Sequence, residues 1–272
     1  MSINFKRNRT QQRYETLLGI STVEELLQKK DVFKSHELTT NEADELKTLL
    51  RQDAIDFFNS AVISFSEGID AIYLKRYSWA TVKLYYSIFY LLRTFMASNG
   101  YALLRNYSMY RLKVAAGEKP YGTGNKKYNS THGGTMSHYK DVFSGTDTLL
   151  TNTIDDTDVY QWMEDARDIV NYRAVSFEDP DCLDVWCKYK EALESNKLSD
   201  LLEQLINDTQ YIYCFQEEYA VVAIPIKRMQ QTIMDLDNNG LLATVTDDRK
   251  NYANSIINGR GRRINIFSGL ND

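Results

Sequence analysis

The chain has 272 residues, 43% of them apolar and 25% charged, with 3 prolines and a formal net charge of −5. That is ample for a packed core, and the few prolines favour long helices over a loop-rich sandwich. The negative balance excludes polyanion binding through overall charge, so any nucleic-acid contact must come from a local patch. The 19 tyrosines and 11 phenylalanines predict large aromatic cores, part of which could be interface.

Along the chain, residues 1–20 hold a basic cluster, Lys6, Arg7, Arg9 and Arg13, read as a solvated arm or a frayed first helix. "STVEELLQ" places Ser21 or Thr22 ahead of Glu24 or Glu25, a capping box before a short helix. A long helix follows Thr39, Thr40 and Asn41, because Phe58, Val62, Phe65, Ile69 and Ile72 step by 4, 3, 4, 3 and form one buried stripe. After "KRYS", Ser78 is a cap for a second helix, Trp79 to Ser98, which is apolar nearly all round and ends at Gly100. A helix of that kind is central, or half covered by a partner. Its most apolar part, Leu84 to Met96, contains Arg93 and is too short to span a bilayer, so no membrane contact is expected.

Residues 117–130, "GEKPYGTGNKKYNS", read as a long mobile loop whose glycines match no nucleotide-binding pattern. "THGGTMSHYKDVF" (131–143) starts another helix. Asp155 to Asp158 supply carboxylates to the N-terminus of the next, whose face is Tyr160, Met163, Ala166, Ile169 and Val170. "EDPD" breaks the chain, and Leu183 to Ala192 begin a further helix. In the last third, "YIYCF" and "YAVVAIPI" joined by "QEE" suggest a β-hairpin. A helix from about Lys227 to Asp237, a strand "LLATVT" and a helix "RKNYANSII" complete the expected C-terminal region, before the basic tail "NGRGRRINIF". The fold class expected is mainly α: an N-terminal extension over 1–44, a helical bundle over 45–195 and a small α+β appendage over 196–272.

The aromatic helix "SWATVKLYYSIFYLLRTFMASNG", the "TH" at a helix start and "ARDIVNYR" on a later helix, in that order, resemble a HEPN domain. The resemblance covers roughly residues 45–195. It implies a small helical bundle, usually a homodimer, of the kind found in prokaryotic antiviral defence and toxin–antitoxin modules. Many such proteins are metal-independent ribonucleases with an R-x4–6-H motif, in which the arginine holds the scissile phosphate and the histidine moves the proton. Arg167 matches the motif arginine, but the histidine position holds Arg173. An arginine stays protonated, so it binds phosphate but is a poor general base. A remodelled ribonuclease site would combine Arg167, Arg173 and His132. The other histidines are His36, ahead of the bundle, and His138.

The resemblance thus implies a dimeric, non-catalytic adaptor or sensor, built through the second helix and the Arg167 helix, or a metal-independent endoribonuclease with a remodelled Arg/His site. Its partners would be a second copy, an ATPase or nuclease subunit of a defence module, or RNA or tRNA. Asn171 and Tyr172 beside the motif, Lys126 and Lys127 in the loop, and Arg260, Arg262 and Arg263 in the tail are the candidate RNA- or partner-binding residues. The competing reading of "ARDIVNYR" is a helix end in which Asp165 and Asp168 neutralise the arginines. No cofactor and no metal is expected. The Asp155–Asp158 cluster lacks calcium-loop spacing, and Cys182 and Cys187 have no fourth thiol or nearby histidine to complete a zinc set with Cys214. An odd, small cysteine count fits a reducing cytosol, and the N-terminus has no apolar h-region, so the cytoplasm is the expected location.

Overall fold

The computed structural model describes residues 7–174 and 176–258. The chain is mainly helical, with eleven α-helices and two small two-stranded sheets among the described residues. Two compact units divide it: residues 1–57 with 92–143, and residues 58–91 with 144–272. Two long helices, α4 (Thr40–Tyr73) and α5 (Tyr77–Ser98), contribute to both. Among the described residues no helix is long and apolar enough to cross a membrane.

The first unit opens with α1 (Arg9–Leu17), α2 (Val23–Gln28) and α3 (Lys30–Ser35). The expected capping box forms at Thr22, whose hydroxyl accepts from Glu25 N–H while the Glu25 carboxylate accepts from Thr22 N–H. A second box starts α4. The Glu42 carboxylate accepts from Thr39 N–H at 2.8 Å and Glu42 N–H donates back to the Thr39 hydroxyl at 3.3 Å. Antiparallel strands β1 (Tyr101–Asn106) and β2 (Ser108–Lys113) follow α5, joined at Tyr107. The segment expected as a mobile loop has structure of its own: Tyr121 exchanges both backbone hydrogen bonds with Arg111, and Lys126–Tyr128 form a 3₁₀ turn. Helix α6 (Thr131–Phe143) then packs on the hairpin. Gly134 makes that approach possible, because a Cβ there would lie 2.6 Å from Met109 Cγ. The "GG" after "TH" is therefore a packing feature.

In the second unit the stripe Phe58, Val62, Phe65, Ile69 and Ile72 is buried as the 4-3-4-3 spacing predicts. Gly68 of α4 closes on α5, where a Cβ would meet Leu84 Cγ at 2.9 Å. Ser78 does not cap α5, which begins one residue earlier. Its backbone N–H donates to the Asp179 carboxylate at 3.1 Å, so the cap comes from "EDPD" a hundred residues on. Short strands β3 (Thr153–Ile154) and β4 (Thr157–Asp158) lead into α7 (Val159–Asp168), followed by α8 (Cys187–Glu194) and α9 (Leu198–Asn207).

The C-terminal region departs from the α+β expectation. "YIYCF" contains a 3₁₀ turn, Ile212–Phe215, and "YAVVAIPI" lies inside α10 (Glu217–Asn238), which continues through Pro225. "LLATVT" holds another 3₁₀ turn, Leu242–Thr244, before α11 (Asp247–Ile257). Residues Ala220 to Met229 are all buried. A helix covered on all sides has no polar stripe, so a short apolar, β-branched run cannot be told from a buried strand by periodicity.

Candidate functional site

Helix α7 is started by Asp158, whose carboxylate accepts from the Tyr160 and Gln161 N–H groups. Asp158 alone starts the helix, whereas Asp155 and Asp156, expected to do so with it, form the turn between β3 and β4 at φ 47° and 61°; among the described residues no group of three or more His, Cys, Asp or Glu side chains could hold a metal ion. Arg167 sits in the last turn of α7. The chain then widens into a π-turn over Ile169–Arg173, closed by Ala174 N–H donating to the Ile169 carbonyl at 2.9 Å. Such turns concentrate at functional sites, and this one breaks the α-helical register between Arg167 and Arg173.

Arg167 is 6% exposed. Its Nη1 lies 3.1 Å from Asp168 Oδ1 and its Nη2 3.7 Å from Glu164 Oε1. Its Cζ stacks over the Tyr85 ring of α5 at 4.5 Å and stands 5.8 Å from the Tyr172 ring. Burial works against its charge, but Tyr85, Asp168 and Glu164 outweigh burial and raise its pKa above the ordinary value. The chain's own carboxylates therefore occupy the field around this guanidinium. Arg173 and Asn171 are exposed, and Tyr172 is 74% exposed.

His132, the proposed third member, stands in the first turn of α6 in the other unit and is half-buried. The helix start there is capped by the Ser130 hydroxyl, which accepts from Gly133 N–H. His138 is fully buried, with Nε2 3.0 Å from the Met109 carbonyl and its ring against Tyr128. Burial holds its pKa below the usual histidine value, as expected of a neutral core residue. Lys126 and Lys127 are exposed in the same unit, with Lys127 Nζ over the Tyr128 ring at 5.1 Å. Arg260, Arg262 and Arg263 lie outside the described residues, as does Lys6.

Two features of the second unit had no signal in the sequence. The first is a buried ionic cluster: Arg228 of α10 lies 3.3 Å from Asp147, which also accepts from the Tyr160 hydroxyl and from Leu149 N–H. The second is a small cleft of about 20 Å³ beside the π-turn, walled by Tyr77, Val170, Phe177, Leu183 and Trp186. The Trp186 indole donates to Thr81 at 2.9 Å. At its edge Trp79 meets Phe177 edge to face, and with Ile169 and Tyr172 these side chains are exposed. Cys182 lines the cleft, but burial and the Cys187 thiol push its pKa up to about 11, the opposite of an activated nucleophile.

Helix α5 itself is covered: Leu84, Tyr85, Ile88, Leu91 and Leu92 are all fully buried. On α5 only Trp79, in its first turn, is exposed, while Tyr86, Tyr90 and Phe95 are half-buried; Ile169 and Tyr172 of the π-turn are exposed as well. No family model matches the chain, and no curated protein and no solved structure matches it either.

Proposed function

We propose that this chain is a HEPN-like component of a prokaryotic antiviral defence or toxin–antitoxin module, acting as a dimeric, non-catalytic adaptor or sensor. The observation that carries the non-catalytic reading is Arg167, buried, paired with Glu164 and Asp168 and stacked on Tyr85. A phosphate-binding arginine must offer its fork to the ligand, and this guanidinium is buried among two carboxylates and a tyrosine ring of its own chain. Arg173 stays protonated and moves no proton. The helical architecture and the order of the aromatic helix, "TH" and "ARDIVNYR" support the HEPN-like part of the reading. The second copy would sit on Trp79, Ile169, Tyr172 and Phe177, the exposed apolar residues beside the motif.

Two measurements test this. Light scattering on the full chain should give a dimer, and Trp79→Glu with Tyr172→Glu should give a monomer with unchanged circular dichroism. Incubation with RNA in chelator should leave the RNA intact for both wild type and Arg167→Ala. A wild-type monomer removes the dimeric adaptor. Cleavage leaving 2′,3′-cyclic phosphate ends and lost in Arg167→Ala brings back the remodelled endoribonuclease.

A further inference from the structure

One stretch of this acidic chain is locally basic. Residues 101–132 contain Arg105, Arg111, Lys113, Lys119, Lys126 and Lys127 against one carboxylate, Glu118. The strand register divides them: Tyr110 meets Phe33 of α3, the helix of Lys30 and Lys34, whereas Arg105 and Arg111 share the side of Met109, which meets α6. Lys30 Nζ lies 5.8 Å from the Tyr107 ring, Lys34 Nζ 5.9 Å from the Tyr110 ring, and Arg111 Cζ 4.9 Å from the Tyr121 ring. In the second unit Lys75 is matched with Glu194 and Lys190 with Asp181. Lys30, Lys34, Arg105, Lys126 and Lys127 have no carboxylate within 4 Å among the described residues. The carboxylates nearby are already engaged at other points: Glu37 with Lys119, Glu118 with Lys113, and Asp141 with the Tyr128 hydroxyl at 2.7 Å and with Arg111 at 3.9 Å. Asp31 lies in the first turn of α3.

Two large aromatics stand out of this surface. Tyr107 is 57% exposed at the hairpin tip and Tyr121 50% exposed on the outer edge of β2. Tyr107 adopts φ = 61°, a left-handed conformation that disfavours a bulky side chain. A turn selected for stability alone would place glycine or asparagine there. Strain of this kind at an exposed residue is a pointer to function.

We propose that the tip and the α6-side edge of the β1–β2 hairpin bind single-stranded nucleic acid. Bases stack on Tyr107 and Tyr121, and the phosphates run past Lys30 at the tip and past Arg105, Lys126 and Lys127. Unneutralised cations interleaved with exposed tyrosines are what a flexible strand requires, since every base has a face to stack and every linkage a charge. A duplex hides its base faces, so it gains only the charge term. The surface lies wholly in the first unit and does not rest on the adaptor reading of the π-turn.

The test is fluorescence anisotropy of the full chain with labelled 15-nucleotide oligo-rU and oligo-dT and a 15-base-pair duplex, at several salt concentrations. Single strands should bind more tightly than duplex. Tyr107→Ala and Tyr121→Ala should each weaken single-strand binding by about tenfold, with circular dichroism unchanged because both side chains are exposed. Lys126→Gln with Lys127→Gln should flatten the slope of log K against log salt by about 0.7 for each phosphate left without its lysine. Lys83→Gln, in the second unit, should change nothing. A preference for oligo-rU over oligo-dT, or the reverse, fits the proposal and names the strand. No binding, equal binding of duplex, or binding indifferent to both tyrosines overturns it. So does equally tight binding to vesicles of anionic phospholipid, which would make the face a general polyanion surface.

Discussion

Replacing Arg167 by methionine keeps most of the side chain's length and removes its charge. Asp168 and Glu164 then lose their cation, and Tyr85 loses the guanidinium stacked on it. Arg167 is almost fully buried whereas the Asp168 side chain is 35% exposed. The ion pair therefore falls between an exposed pair, about 0–1 kcal/mol, and a buried pair broken from one side, about 3–5 kcal/mol. A value of about 1–2 kcal/mol fits that position. The stack on Tyr85 at 4.5 Å is shielded from water and adds about 1 kcal/mol. Against this, Arg167 Nε is buried without a hydrogen-bond partner, and methionine removes that unmet donor. The net expectation is a loss of about 2 kcal/mol, or about 4–8 °C in Tm for a chain of this size. Arg167→Lys restores the charge without the planar stack and should fall between the two.

The assay is urea and thermal unfolding followed by circular dichroism, with RNA integrity measured on the same samples. An arginine held open for phosphate behaves differently. Its removal leaves stability unchanged or improves it, because poised functional groups are costly to the fold. If Arg167→Met is neutral within about 0.5 kcal/mol, or stabilising, the guanidinium is not committed to Glu164 and Asp168. Arg167 is then no structural residue, and the non-catalytic reading loses its support.

Other perturbations follow from the same contacts. Asp147→Ala leaves Arg228 charged and buried without its carboxylate, and should cost about 3–5 kcal/mol in urea unfolding; a loss below about 1 kcal/mol would mean the charge escapes to solvent. Thr39→Ala removes one half of the box that starts α4 and should cost about 1 kcal/mol, with Glu42→Ala no more than additive to it. His138 is faced by the Met109 carbonyl, Arg111, Asp141 and Tyr128, and its folded pKa is lowered by burial from 6.5. The unfolded chain therefore takes up a proton first as pH falls, so stability is full above about pH 6.5 and declines below it until the folded pKa is reached. The difference between wild type and His138→Gln in urea midpoint from pH 8 to pH 5 isolates this group from Glu15, whose pKa burial raises. Midpoints that run parallel would show that His138 does not titrate differently on folding.

How much of this was legible in the sequence depended on whether a residue's partners were near it in the chain. The capping box at Thr22, the 4-3-4-3 stripe of α4 and the start of α6 are local patterns and form where the spacing puts them, while of the cap candidates Thr39, Thr40 and Asn41 it is Thr39 that caps α4, and of Asp155 to Asp158 only Asp158 caps α7. Arg167 was legible as a phosphate-motif arginine because that, too, is a linear pattern. Its stacking on Tyr85 was not, since that tyrosine comes from a helix eighty residues earlier. Asp165 and Asp168 were expected to neutralise the arginines; Asp168 does pair with Arg167, while Asp165 accepts from Gln161 instead and Glu164 takes its place. The α5 cap failed for the same reason, Asp179 being a long-range partner invisible to a search for a neighbouring serine. In α10 the difficulty was the signal itself, because burial on every side erases the polar stripe that marks a helix.

The hairpin surface shows what falls between these cases. Its lysines and arginines were each visible, but in a chain of net charge −5 their meaning depends on where the carboxylates go, and only the fold shows that Glu37, Glu118 and Asp141 have other engagements. The tyrosines were equally visible among nineteen; Tyr107 and Tyr211 share a left-handed backbone at φ = 61°, and of the two Tyr107 is the exposed one. That angle separates two explanations of the same residue. If Tyr107 is there for the fold, Tyr107→Gly should destabilise the hairpin by losing packing. If it is there for a ligand, glycine should leave stability unchanged or raise it by up to about 1 kcal/mol, by removing the strain at φ = 61°. Nucleic-acid binding would fall in the same variant. A protein that gains stability and loses binding at one exposed side chain would place the reason for Tyr107 outside the fold.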